Sequence, residues 1–330
     1  DRRRHRAHDR SLALSLTANT LGRRTRRPRW FILAMLGPAL AGLLIFFVYP
    51  LIASVFYSFT RFDLVSPPEF IGLRNYEYLF TKDPKVWVAA GNTLWFVVIL
   101  VPVRIVTALA VAYLLVRARR ASGFWRTVFY LPALVPSVAG VVAFVFLFNP
   151  GTGPVNLILK SIGIQGPLWF NDPDWSKPSL LLLGIWVMGD IMIIFLAALL
   201  DVPKELYEAA ELDGARSWQR GWYVTLPSIA PVLVFAVVTG VIAALQYFTE
   251  AAVASTVASG KATVGAGSGG ELGYPGNSLL TYTEWLYVRG FANYQLGYAS
   301  ALAVLLFVVA AVFLVLLLRR VKAFSPEEAQ

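Results

Sequence analysis

Few residues in this chain have side chains suited to catalysis. There is no Cys, and both His, His5 and His8, sit in an Arg-rich N-terminal stretch. Disulfides, thiol nucleophiles and Cys-based zinc or iron–sulfur ligation are excluded, and no buried His-centred metal or catalytic site is expected. The only Gly-Lys pair, in "ASGKATVG", lacks the spacing and strand-to-helix context of a phosphate-binding loop. Asp172 and Asp174 in "NDPDW" are the nearest approach to a carboxylate cluster, and they read as a turn. Two features remain. One is a charged run, "ELYEAAELDGARSWQRGWYVTLP" at 205–227, set between apolar stretches. The other is a set of ionisable residues within or beside such stretches, Arg104, Asp190 and Glu250. The run suits docking to another protein. The set suits charge pairing or a polar path, because ionisable groups in lipid are costly and face protein or water.

The elements that must position these residues are membrane helices. The 330 residues are 57% hydrophobic and only 15% charged, where a soluble domain is about half apolar and a quarter charged. A helix needs about 20 mostly apolar residues to cross the hydrocarbon core. Six stretches qualify: 30–56, 86–116, 127–148, 179–200, 228–248 and 297–318. The second is longer than required, which implies tilt or a start outside the membrane. The apolar run that begins at Trp30 is too long for the core of a signal peptide.

Charge sets the expected orientation. Ten of the 29 Lys and Arg precede Trp30. This placement favours a cytoplasmic flank of the first span over a nucleic-acid arm. With 117–126, 201–227 and the C-terminus, that side holds twenty basic residues against eight in 60–85, 149–178 and 251–296. Both termini and the 201–227 segment are therefore expected in the cytoplasm. The opposite loops are rich in Pro, Gly, Trp, Tyr and Asn, and 255–278, rich in Gly, Ser and Ala, is expected to be a mobile loop. The expected division is an Arg-rich cytoplasmic segment 1–29, a six-helix membrane domain 30–320 and a cytoplasmic tail 321–330.

Within 201–227, Asp201 and Pro203 predict a helix start, with Glu205 and Glu208 near its positive end. Gly214 is placed to end that helix in a left-handed conformation. Trp218 and Trp222, four apart, would share one face of a second short helix. An amphipathic helix lying on lipid would carry large apolar and basic residues. Here Ala209, Ala210 and carboxylates stand instead, which favours close docking to a protein groove.

"EAAELDGARSWQRGWYVTLPSIAP" resembles the EAA loop in the permeases of binding-protein-dependent ABC importers, carbohydrate-uptake branch (the maltose and glycerol-3-phosphate permease type). "FIGLRNYEYLF", "NTLWF", "YLPALVPSVAGVVAFVFLFNPGTGPVNLIL", "GYPGNSLLTYTEWLY" and "LGYASALAVLLF" extend the resemblance over most of the chain. A Gly-rich insertion at about 255–272 and the first 29 residues lie outside it.

The resemblance implies an all-α polytopic membrane protein with six transmembrane helices and a cytoplasmic EAA coupling helix between spans four and five. It implies a location in the bacterial cytoplasmic (inner) membrane. It also implies a transport subunit, not an enzyme, that requires no cofactor or metal. Expected partners are a second homologous permease in a heterodimer, two cytoplasmic ATP-binding subunits, an extracytoplasmic solute-binding protein, membrane lipid and a sugar or sugar-like substrate. No nucleic acid is expected. Glu208 would contact a basic residue of the ATPase, Ala209 and Ala210 would allow close approach, and Asp213 would cap or add a polar contact. Gly214 would turn the chain, and Pro227 would end the loop. For a sugar path, hydrogen-bonding and aromatic side chains single out Asn92, Trp186 and Gln246, with Asp190 as a further candidate. Arg104 either pairs with Asp190 across spans two and four or serves the path, and Glu250 either serves it or marks the outer interface. The competing readings are a secondary transporter, which leaves the EAA segment unexplained, and a polytopic membrane enzyme acting on lipid-linked sugar. That enzyme would want clustered acids or His at a membrane boundary.

Overall fold

Proline dictates much of the helical architecture in the computed structural model, which describes residues 29–118, 122–260 and 272–322. The chain divides into two units, Asp1–Ala53 and Ser54–Gln330. In the first, α1 (Arg29–Leu43) passes through a π-helical turn, Leu44–Val48, into α2 (Tyr49–Ser58), whose last residues belong to the second. The same device recurs twice in the second unit. π turns at Phe96–Leu100 and Gly221–Thr225 precede Pro102 and Pro227 as Leu44–Val48 precedes Pro50. A helical Pro offers no N–H and its ring pushes on the carbonyl four residues back. The helix absorbs this by widening one turn.

The second unit begins with a short antiparallel pair, β1 (Thr60–Arg61) and β2 (Glu69–Phe70), registered Thr60 to Phe70. α3 (Arg74–Thr81) follows, then α4 (Pro84–Trp95) and α5 (Val101–Arg117). Asp83 caps α4 by accepting the Lys85 N–H at 3.2 Å, and Pro84 fills the first position, where no donor is needed. Pro84–Arg117 runs as one 34-residue helix. At 1.5 Å per residue that is about 50 Å, well beyond the ~30 Å hydrocarbon core. The sequence predicts this excess length.

Among the described residues three helices are long and apolar enough to cross a membrane: Ala34–Ser58, Pro84–Arg117 and Leu296–Leu317. The other three predicted spans are bent pairs, so the count reaches six if each pair is one span. α6 (Ser122–Tyr130), with the 3-10 turn Leu131–Leu134, bends by 98° into α7 (Ser137–Leu147). Val135, before Pro136, is forced extended. After α8 (Pro154–Ser161), α9 (Pro173–Trp186) bends by 46° into α10 (Gly189–Asp201). A Cβ at Gly189 would collide with the Phe129 carbonyl and lie 2.8 Å from Tyr130 Cα, so only Gly lets α10 start against the end of α6. α11 (Lys204–Leu212) and α12 (Ser217–Arg220) come next. The segment 217–228 then bends by 69° into α13 (Ala230–Leu245). α14 (Thr249–Ala258), α15 (Tyr282–Tyr287) and α16 (Leu296–Lys322) complete the chain.

The main core draws Phe96, Ile105, Leu180, Met192, Phe195 and Val241 from α5, α9, α10, α13 and the π turn before α5. Buried Ala108, Ala112, Ala236, Ala244, Ala251 and Ala254 let these helices approach closely, as small residues do where lipid replaces water. A second cluster joins α3, α4, α15 and α16 through Leu79, Val86, Trp285, Tyr298 and Leu302. Large apolar side chains such as Val106, Leu114, Phe307 and Leu316 stay exposed, as on a lipid-facing surface.

The expectation of a mobile loop at 255–278 needs correction at both ends. Residues 255–258 finish α14. Asn277 and Leu280 offer their carbonyls to one buried amide, which fixes the chain there. Residues 261–271 lie outside the described residues, as do residues 1–28 of the Arg-rich segment and 323–330 of the tail.

Candidate coupling segment and membrane cavity

The segment 201–227 folds as helix, turn, helix. Its first helix starts later than the sequence predicts. Asp201 is the last residue of α10, Val202 is extended and buried, and α11 begins at Lys204 behind Pro203. Glu205 thus lies in the first turn, where the helix dipole favours a carboxylate. Gly214 has φ +76°, the left-handed value the sequence predicts. Around it the Ala215 N–H donates to the Ala210 carbonyl at 2.9 Å and the Gly214 N–H to the Glu211 carbonyl at 3.0 Å. That double bond pattern is a Schellman stop, and a residue with a Cβ would be strained there.

Most of the polar contacts of the segment are internal to it, and one reaches α5. Tyr207 Oη and Thr225 Oγ1 hydrogen-bond at 3.0 Å. The Arg117 guanidinium donates to Ser217 Oγ at 3.0 Å from the end of α5. Arg220 pairs with Glu211, and the Arg216 N–H donates to Gln219 Oε1 at 2.7 Å. Glu208, Ala209, Asp213, Gly214 and Pro227 are exposed and Ala210 is half-buried. Among the described residues Glu208 makes no ion pair. Leu212 is 90% exposed, and Trp218 and Trp222 are both exposed beside it. Sequence spacing does not reveal the internal tie at Tyr207 or the anchor at Arg117.

The second site is a partly open cavity of about 170 Å³ lined by α5 and its π turn, α10, α13 and residues 246–250. It gathers Arg104, Gln246 and Glu250 with Tyr247, Gly240 and Ile191. Gly240 is required because a Cβ there would come within 2.9 Å of Val101, across the α5–α13 contact. Arg104 spans the break between α9 and α10. Its guanidinium donates to Asp190 Oδ1 at 2.8 Å and to the Val187 carbonyl at 3.3 Å. That carbonyl is freed where the helix breaks, and a membrane helix must satisfy such groups internally. The pairing weighed from the sequence is therefore present, and Arg104 also faces the cavity.

The other candidates lie elsewhere. Asn92 is buried, and both its amide hydrogens serve backbone carbonyls, Asn277 at 2.8 Å and Leu280 at 2.9 Å. It does not line the cavity. Trp186 packs beside Phe144 of α7 with ring centroids 5.3 Å apart and also lies outside the lining. Among the described residues no group of His, Asp and Glu could hold a metal ion.

A third arrangement was not anticipated. Asp83 is 3% exposed. Its Oδ2 accepts from Trp285 Nε1, Arg289 and Tyr298 Oη, each at 2.9 Å. The guanidinium lies 4.6 Å from the Trp285 ring and 5.4 Å from that of Tyr298. Close by, Glu284 is fully buried and accepts the Thr281 N–H at 2.8 Å. Burial pushes its carboxyl up to about 8, against the lowering effect of that bond. "DP" at 83–84 marks a helix start, but nothing local announces a partner 206 residues away.

Broken helices, paired charges inside an apolar bundle and an exposed helical hairpin define a helical protein of the membrane-spanning class. Residues 104–323 match the family described as binding-protein-dependent transport system inner membrane component. The chain belongs to that family, as a permease subunit of an ABC importer. It is 37% identical over 286 residues to the probable ABC transporter permease protein YesP of Bacillus subtilis, covering 86% of this chain and 88% of that one. It is 31% identical to the arabinooligosaccharides transport system permease protein AraP of the same organism, over 88% of each chain. It is 35% identical to the lactose transport system permease protein LacF of Rhizobium radiobacter, over 78% of this chain and 81% of that one. Among solved structures it is similar to a bacterial ABC transporter involved in import of the acidic polysaccharide alginate. That match has a TM-score of 0.70 and 25% identity, and it covers 89% of this chain and 96% of the other.

Proposed function

We propose that this permease carries a sugar, as the arabinooligosaccharide and lactose permeases it resembles are named for doing. It does so with a second, homologous permease, two ATP-binding subunits and an extracytoplasmic solute-binding protein. Six spans cross the inner membrane, each bent pair counting as one, with both termini in the cytoplasm. The membrane domain extends over 30–320. α11 is the coupling helix between spans four and five, held in a cleft of one ATP-binding subunit. Glu208 makes the charged contact, Ala209 and Ala210 allow close approach, Asp213 adds a polar contact, Gly214 turns the chain and Pro227 closes the segment. ATP-driven closure of the ATPases moves α11 and the spans joined to it, as rigid-body alternating access requires. Gln246 and Asp190 belong to the solute path and Trp186 to its aromatic wall, while Asn92 fixes the chain that borders it.

The observation that carries this reading is the exposed helix–Schellman turn–helix at 204–220, with its acidic and small residues presented outward. Glu208→Lys in the complete importer tests it. Membrane insertion should persist, while co-purification of the ATP-binding subunit and sugar uptake fall together. Retention of both would overturn the coupling role.

A further inference from the structure

α5 holds both ends of the helical unit that carries the coupling segment. At one end Arg104 fixes the start of α10. Its guanidinium donates to Asp190 Oδ1 at 2.8 Å and, within the α9–α10 break, to the Val187 carbonyl at 3.3 Å. Arg117 lies on the same helix, about 20 Å further along it at 1.5 Å per residue. It donates to Ser217 Oγ at 3.0 Å, in the coupling segment. Between the two Arg, Ala108 and Ala112 of α5 are buried in one cluster with Met192 and Phe195 of α10. Small residues four apart let the two helices close on each other. The joint between α10 and α11 is the weak point of this unit. Only Val202 and Pro203 form it, and Val202 is extended. Such a joint bends unless something spans it. The Arg117–Ser217 bond does, because Ser217 belongs to a hairpin closed by the Arg220–Glu211 pair and the Tyr207–Thr225 bond. The Tyr113 ring, 4.5 Å from the Arg117 guanidinium, backs that bond.

From this arrangement we infer that α5, α10 and the coupling segment move as one lever, with Arg104 and Arg117 as its fasteners. Displacement of α11 then reaches the α9–α10 break without slack. Both Arg are positioning residues: they act through the helices they hold together. Because Arg104 also lines the cavity, the cavity wall travels with the lever. The inference rests on the coupling role proposed for α11 and adds what transmits its motion. Without Arg104 the Val187 carbonyl loses its donor at a depth where no water replaces it, and the start of α10 is free to shift. Without Arg117 the coupling hairpin can pivot on Val202 and Pro203 while α10 stays still.

The lever is testable in the complete importer. The chain has no Cys, so spin labels can be placed at Leu114→Cys, exposed on α5, and Ala209→Cys, exposed on α11, with any cysteines of the other subunits replaced. The distance between the labels should be the same in the resting and ATP-trapped states. A shift of ~5 Å, one helical turn, overturns the inference and leaves the coupling role of α11 intact. This measurement needs no Arg variant to fold. Arg104→Met and Arg117→Met should each broaden the distance distribution and lower the sugar carried per ATP hydrolysed by about fivefold or more. Arg117 does not line the cavity, so its variant should leave the sugar concentration for half-maximal uptake unchanged. Arg104→Lys keeps donors for Asp190 and the Val187 carbonyl and should restore part of the ratio. A wild-type ratio of sugar to ATP in both Met variants also overturns the inference. Retained ATPase association and uptake in Glu208→Lys removes the coupling reading and the inference together.

Discussion

α11 and the Asp83–Arg289 node treat charge in opposite ways. At the node, one carboxylate oxygen accepts three hydrogen bonds and a guanidinium lies among aromatic rings. On α11, Glu208 is exposed, and Leu212 and Trp218 stand open beside it. Satisfied charge fixes a structure, because removing one buried partner strands the others. Unsatisfied charge on an exposed surface is available to a partner. The comparison separates residues that hold the permease together from those proposed to connect it to its motor.

The largest effect should come from the node. Asp83→Ala leaves Arg289, Trp285 and Tyr298 without their shared acceptor, at a cost of about 3–5 kcal/mol. The expected outcome is a large drop in thermal unfolding temperature of the detergent-purified protein, with no specific effect on ATPase association in the folded remainder. Glu284 gives a smaller, pH-dependent effect. Burial raises its folded pKa to about 8, above the ordinary carboxyl value of 4.5. The fold is therefore fully supported below about pH 4.5 and loses that support as pH rises toward 8. Glu284→Gln should flatten this dependence in melts taken between pH 5 and 8. If the slope is unchanged, the assignment to Glu284 is wrong.

Two changes in the coupling segment should cost less stability and more function. Gly214→Val forces a Cβ into φ +76°, at about 1–2 kcal/mol. Uptake should fall more steeply than unfolding temperature, because the turn aims α11. Tyr207→Phe removes one hydrogen bond to Thr225, about 1 kcal/mol. It should loosen the segment enough to lower the ATPase activity of the complex modestly while leaving insertion intact. If Tyr207→Phe matched Asp83→Ala in unfolding, the contrast between the two regions would collapse.

The legibility of the sequence followed the same division. Hydropathy located the three long apolar helices and the three bent pairs, because lipid imposes length and apolarity on a span. The αL stop at Gly214 was readable because only local backbone chemistry decides it. The helix breaks were less readable. Pro136 announces one, but Gly189 breaks α10 from α9 through its contact with α6, which no local pattern shows. Asn92 has a structural use that no local pattern shows either. A polar residue in an apolar stretch implies a use, and here the use is to hold two backbone carbonyls. Arg104 and Asp190 were legible as a pair because each alone would be too costly in a span. Asp83 and Arg289 were not, since both stand outside the predicted spans, where charge is ordinary.

The central claim is that α11 lies in the cytoplasm and is gripped by an ATP-binding subunit. The chain contains no Cys, so Ala209→Cys gives a single addressable thiol on the exposed face. Paired with single cysteines in the cleft of the ATPase, it should form a cross-link in membranes whose yield changes when ATP is added. It should also resist impermeant thiol reagents applied from outside. Labelling from outside, or no cross-link in a complex that still takes up sugar, would contradict the account.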